Sequence, residues 1–107
     1  MKLKQLKTID IQAKEWTDKT NGNDYWSSEI TLNFGKSNSK TYTIPFSYGY
    51  DEQYLYNSLE LVKNLFPKSD WFKSKWNFNK WNLFEKYGIV VNNSIKKNCL
   101  KRDLIKA

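Results

Sequence analysis

Histidine is absent from this 107-residue chain, cysteine, arginine and methionine occur once each, proline twice and glycine four times. Without histidine there is no imidazole for general acid-base catalysis, and most zinc sites lose their usual ligand. A single cysteine, Cys99, excludes an intramolecular disulfide and fits a reducing compartment. Lys96, Lys97, Lys101 and Arg102 around Cys99 would favour its thiolate, but no histidine stands by as a base, so Cys99 reads as structural. Walker A, GxGxxG, GxSxG and CxxC patterns are all missing. The carboxylates Asp10, Asp18, Asp24 and Glu29 are dispersed along the first half, and three of them read as strand or turn residues. These absences argue against an enzyme, and no cofactor or metal is expected. No stretch approaches the apolar length needed to cross a bilayer, and MKLKQLK is charged without a following apolar run. The expectation is one intracellular domain with a single modest core.

What is abundant is aromatic and lysine side chains. Aromatics make up 17% of the chain, enough to build a core from few, large residues. The net charge of +7 is unevenly placed: residues 1 to 60 carry seven lysines against eight acids, whereas residues 61 to 107 carry eleven Lys and Arg against three. Seventeen of the eighteen basic residues are lysine. Lysine meets phosphate as a point charge, and bidentate reading of base edges falls to arginine, so sequence-specific readout is disfavoured.

The first half predicts a three-stranded antiparallel meander. In TIDIQAKEW, Ile9, Ile11 and Ala13 alternate with Asp10, Gln12 and Lys14, the period of a half-buried strand. Asn21-Gly22 is a two-residue hairpin signal. A turn centred there places Ala13 opposite Ile30, Ile11 opposite Leu32 and Ile9 opposite Phe34, and it adds the charge pairs Lys14 with Glu29 and Lys19 with Asp24. A third strand, TYTIPFSY, puts Tyr42, Ile44, Phe46 and Tyr48 on one face, with Pro45 demanding an edge or a bulge. Asp51 is the expected N-cap of a long helix over 52–66 that carries Leu55, Leu59, Val62 and Phe66 and stops at Pro67. Ser69-Asp70 restarts a helical segment. A shorter helix over 79–87 with Gly88 as its C-cap assigns Trp81 and Phe84 to the core, and GIVVNNSI is a possible final strand. The fold class is α+β in one domain.

Three places could bind a partner. Parity sends Trp16 to the outer face of the hairpin, beside Lys14 and diagonal to Tyr25, and exposed aromatics among mixed charge anchor protein interfaces. Trp71 and Trp76, in WFKSKWNFNKW, are open between packing and contact. Lys73, Lys75 and Lys80, interleaved with rings, suit phosphates beside stacked bases. The basic run KKNCLKR adds Lys96, Lys97, Lys101 and Arg102 to that nucleic-acid alternative.

The runs IDIQAKEWTDKTNGNDY at 9 to 25, PFSYGYDEQY at 45 to 54 and NCLKRD at 98 to 103 resemble a group of small, mostly uncharacterised bacteriophage-encoded proteins. Those share an AK-x-W-x-x-K opening, a YGYG before a helix and an NC-x-KR-acidic close. Asp51 stands where a further glycine is common in that group. The resemblance implies an accessory protein in the cytoplasm of an infected bacterial cell, of host-takeover or anti-defence inhibitor type. It does not say what the protein binds; the missing catalytic set, the parity-exposed Trp16 and the uneven charge point to a host protein or protein complex as partner, with nucleic acid as the alternative. A homodimer through Trp16 or the Pro45 edge is also open.

Overall fold

The computed structural model describes residues 1–74 and 79–105. Four strands form one mixed sheet: β1 (Thr8–Asp18), β2 (Asn23–Leu32), β3 (Lys40–Tyr48) and β4 (Val90–Lys96). Three helices, α1 (Gln53–Asn64), α2 (Asp70–Lys73) and α3 (Lys80–Tyr87), lie between β3 and β4 in the chain. The α+β meander is present, but the sheet order is β3-β2-β1-β4, with β4 parallel to β1. The final strand thus makes β1 a central strand rather than an edge.

The β1–β2 hairpin keeps the expected faces and changes its register. Ile11 pairs with Ile30, Ile9 with Leu32 and Ala13 with Ser28, a slip of two residues from the arrangement centred on Asn21-Gly22. A two-residue slip preserves strand parity, so the buried face is unchanged. The cause is Asp18. Its carboxylate accepts from the backbone N–H groups of Thr20 and Asn21 at 3.0 and 3.3 Å and from the Asn21 side chain at 2.8 Å. Those bonds hold the Asp18 carboxyl below its ordinary range. Gly22 closes the four-residue loop with φ 72 and a 2.7 Å bond to the Asp18 carbonyl. The expected charge pairs are therefore not formed: Lys14 faces Ser27, Gln12 faces Glu29, and Asp24 faces Thr17, whose hydroxyl donates to it at 2.7 Å. Phe34, expected opposite Ile9, is 74% exposed beyond the strand end.

On the inner face, Ile9, Ile11, Ala13, Trp26, Ile30 and Leu32 meet Tyr54, Leu55, Leu59 and Val62 of α1. Burial of such a stripe is the main driving force for the fold. Within this layer the Ser28 and Ser58 hydroxyls pair at 2.9 Å, so the polar position is satisfied. Helix α1 begins later than expected. Asp51 has φ 53, a left-handed conformation, and Glu52 takes the N-cap position without a side-chain cap. Asp tolerates that conformation and glycine adopts it without cost. Just before it, Gly49 is buried against the Trp26 indole, where a Cβ would lie 2.9 Å from Nε1.

The helical segments reverse the expected roles of two tryptophans. Ser69 caps α2 by accepting from the Phe72 N–H at 3.1 Å, and Trp71 is buried in the core at 1% exposure. Trp71 is thus a packing residue and not a partner contact. In α3, Asn79 and Asn82 form a reciprocal capping box, and Gly88 ends the helix with φ 69, as expected. The buried position of α3 is Leu83, while Trp81 and Phe84 are 65% and 53% exposed. The assignment of Trp81 and Phe84 to the core is corrected accordingly. Lys75 and Trp76 lie outside the described residues.

Candidate functional site

Trp16 lies near the end of the outer row of β1, and Tyr25 sits directly across from it on β2. The two rings stack with centroids 5.5 Å apart. What builds a site around them is a bulge in β3. Trp26 pairs with Ser47 but Ser28 pairs with Ile44, so Pro45 and Phe46 together oppose Ser27. Proline has no N–H for a ladder and settles at edges and bulges; β3 is both. The extra residue inverts parity beyond it. Tyr42 and Ile44 stay on the inner face, whereas Phe46 and Tyr48, expected beside them, turn outward.

The result is a continuous aromatic run. Phe46 stacks on Tyr25 at 4.8 Å and approaches Trp16 at 6.2 Å. Tyr48 meets Tyr25 edge-on at 5.6 Å, and Tyr50 meets Tyr48 the same way at 5.4 Å. Each such pair adds about 0.5–1.5 kcal/mol beyond its buried area. The Tyr48 and Tyr50 hydroxyls share a hydrogen bond at 3.0 Å, and this bond with Tyr48 is the main reason the Tyr50 phenol is pushed up to about 12. Tyr50 therefore stays neutral at physiological pH. Tyr48 and Tyr50 are 56% and 44% exposed.

The chain after β4 crosses this face. The Cys99 N–H donates to the Glu15 carbonyl at 2.9 Å, the Ile105 N–H donates to the Ser27 hydroxyl at 3.0 Å, and the Phe46 N–H freed by the bulge donates to the Ile105 carbonyl at 2.7 Å. Leu104 is buried. Lys101 is held with its ammonium 5.5 Å from the Trp16 ring centroid and 5.9 Å from that of Phe46, a cation–π arrangement. Trp16 is consequently half-buried rather than open. Cys99 donates its thiol to the Lys96 carbonyl at 3.3 Å, a structural placement.

The expected site residues divide into two groups. Lys14 and Lys96 are register partners, and by strand parity both face outward, on the same face as Trp16. Lys80 instead bonds Asn93 on the inner face at 3.1 Å, and Lys73 belongs to α2 in the helix layer. Arg102 and Lys97 are exposed. Phe46, Tyr48 and Tyr50 were missed in the sequence, where only Pro45 signalled the change of face.

Beneath the site, Glu15 is a buried acid paired in register with Trp26. Burial pushes its carboxyl up; Asp24 and Asp51 add to this and Lys97 opposes it. The raised value means that the folded state disfavours the ionised form, so its cost is absent below the ordinary 4.5 and develops as pH rises through the raised value. Glu15→Gln is therefore expected to raise the urea midpoint at neutral pH and to leave it unchanged below pH 4.5. An equal gain at both pH values would show that ionisation of Glu15 is not the cause.

The chain matches no known family model, no curated protein and no solved structure. Among the described residues no cluster of three or more metal-ligating side chains occurs, and no helix is long and apolar enough to cross a membrane.

Proposed function

We propose that this chain is a non-enzymatic phage accessory protein that binds and modulates a host macromolecule through the aromatic end of the outer sheet face. The observation that carries the reading is the run of five rings from Trp16 to Tyr50, rigidly stacked at one end and open at Tyr48 and Tyr50 at the other. Preorganised aromatics of this kind lose little conformational freedom on contact and form interface hot spots. A host protein or protein complex in the cytoplasm of the infected cell is the partner that such an exposed aromatic surface suits best.

The test is expression in a bacterial host of the wild-type chain and of a Tyr48→Ala/Tyr50→Ala variant. Wild type is expected to alter host growth or phage susceptibility, and the variant to lose that effect while keeping its thermal transition, each truncated tyrosine removing about 2 kcal/mol of binding. Equal effects from both chains would sink the assignment of this surface.

A second reading, a nucleic-acid-binding module, is favoured by one observation: the Lys101 ammonium lies over the Trp16 and Phe46 rings of the outer face, which Lys14 and Lys96 share by strand parity. Ammonium groups next to stacking platforms suit single strands. Polarisation of labelled DNA and RNA decides it, since phosphate-driven binding falls steeply with salt. On this reading Lys96, Lys97, Lys101 and Arg102 act together, and Lys73 and Lys80, on the helix side, do not.

A further inference from the structure

The two edges of the sheet are treated differently. The β3 edge carries Pro45 and a bulge, both of which obstruct the addition of another strand. The β4 edge carries neither: its seven residues pair with β1 in unbroken register from Thr8↔Val90 to Lys14↔Lys96. The Val90 N–H donates toward β1, to the Lys7 carbonyl at 3.0 Å. In a parallel ladder the backbone groups alternate sides, so the N–H and C=O of Val91, Asn93 and Ile95 point away from the sheet. Among the described residues these groups make no backbone hydrogen bond.

We infer that the free edge of β4 receives an extended acidic strand from the partner protein. The side chains along β4 specify that strand. Val91, Asn93 and Ile95 form the inner row, and Val91 and Ile95 pack partly on the core, so apolar residues on the added strand beside these two would extend the hydrophobic layer. The outer row ends in Lys96, with Lys14 beside it and Lys97 next in sequence. No acid occurs within β4. The nearest acid across its register, Asp10, sits at the opposite end and accepts from Asn92 at 3.0 Å. An acidic residue on the outer row of the added strand beside Lys96 therefore meets that ammonium, with the Lys14 charge one strand further in, and apolar residues alternate with it on the inner row. A second copy of this chain is the less suitable occupant, because two chains of net charge +7 repel and β4 supplies no acid for Lys96 of its mate. Strand addition of this type takes affinity from main-chain bonds and specificity from alternate side chains.

This inference rests on the protein-partner reading above. The probe is a synthetic extended peptide as long as β4 that alternates Val and Glu, added to the full ¹⁵N-labelled chain. Exchange of the Val91, Asn93 and Ile95 amide hydrogens is expected to slow about tenfold or more, since these become paired on binding. The same peptide with N-methylated amides, and a Val/Lys version, should not bind. Ile95→Pro removes one outward N–H without breaking a bond to β1 and should abolish peptide binding. Unchanged amide exchange, or equal binding by the N-methylated peptide, would overturn the inference. So would protection already present without peptide in a sedimenting dimer, which would make the edge a contact between copies. In the bacterial expression assay the two readings separate. An effect lost on Tyr48→Ala/Tyr50→Ala and retained on Ile95→Pro would keep the aromatic surface and reject the edge.

Discussion

Replacing Asn33 by alanine is expected to lower the unfolding free energy by about 3–5 kcal/mol, more than most single substitutions cost. Asn33 is 0% exposed and has φ 52. Its side-chain oxygen accepts from the Lys7 N–H at 2.7 Å and the Thr8 N–H at 3.3 Å. Its side-chain nitrogen donates to the Gln5 carbonyl at 2.9 Å and to Asn38 at 3.1 Å. One amide thus ties the segment before β1 to the β2–β3 loop. Alanine leaves these partners unsatisfied beneath the surface, at about 1–3 kcal/mol for each one that water cannot reach. Alanine also tolerates the left-handed conformation poorly, which adds about 1 kcal/mol. Glycine relieves only that second cost. Urea unfolding of Asn33→Ala and Asn33→Gly separates the two contributions: glycine should recover about 1 kcal/mol and no more. Near wild-type stability of Asn33→Ala would show that water replaces the amide.

Trp71→Ala and Trp81→Ala should differ sharply, although the two residues sit in one aromatic and lysine stretch. Trp71 is buried in the core, and its truncation is expected to cost about 3–5 kcal/mol from lost burial and the cavity left behind. Trp81 is 65% exposed on α3, and its truncation should stay within about 0.5 kcal/mol. Chemical denaturation reads both. Comparable losses from the two would mean that Trp81 packs and that α3 is turned differently on the sheet.

That contrast marks where the sequence stops being decisive. In α3, Trp81 and Phe84 are three residues apart, and Leu83 and Tyr87 four apart. Both spacings put a pair on one helix face, so periodicity alone admits either stripe as the buried one. The contact with the sheet chooses Leu83. The aromatic site shows the same division: Trp16 and Tyr25 on the outer face follow from strand parity, a purely local property. Phe46 and Tyr48 join them only because Pro45 is accommodated by a bulge, which depends on the pairing of β3 with β2.

By itself the sequence determined the alternation of β1 and β2, the apolar stripe of α1, the Gly88 stop and the extended run that becomes β4, because each is set by residues a few positions apart. Tertiary structure decided the Asp18 loop register, the parallel docking of β4 on β1, the turn of α3 and the crossing of the C-terminal segment over Trp16. These depend on which distant surfaces meet, and several pairings of the same local elements satisfy the same pattern until burial and backbone hydrogen bonding select one.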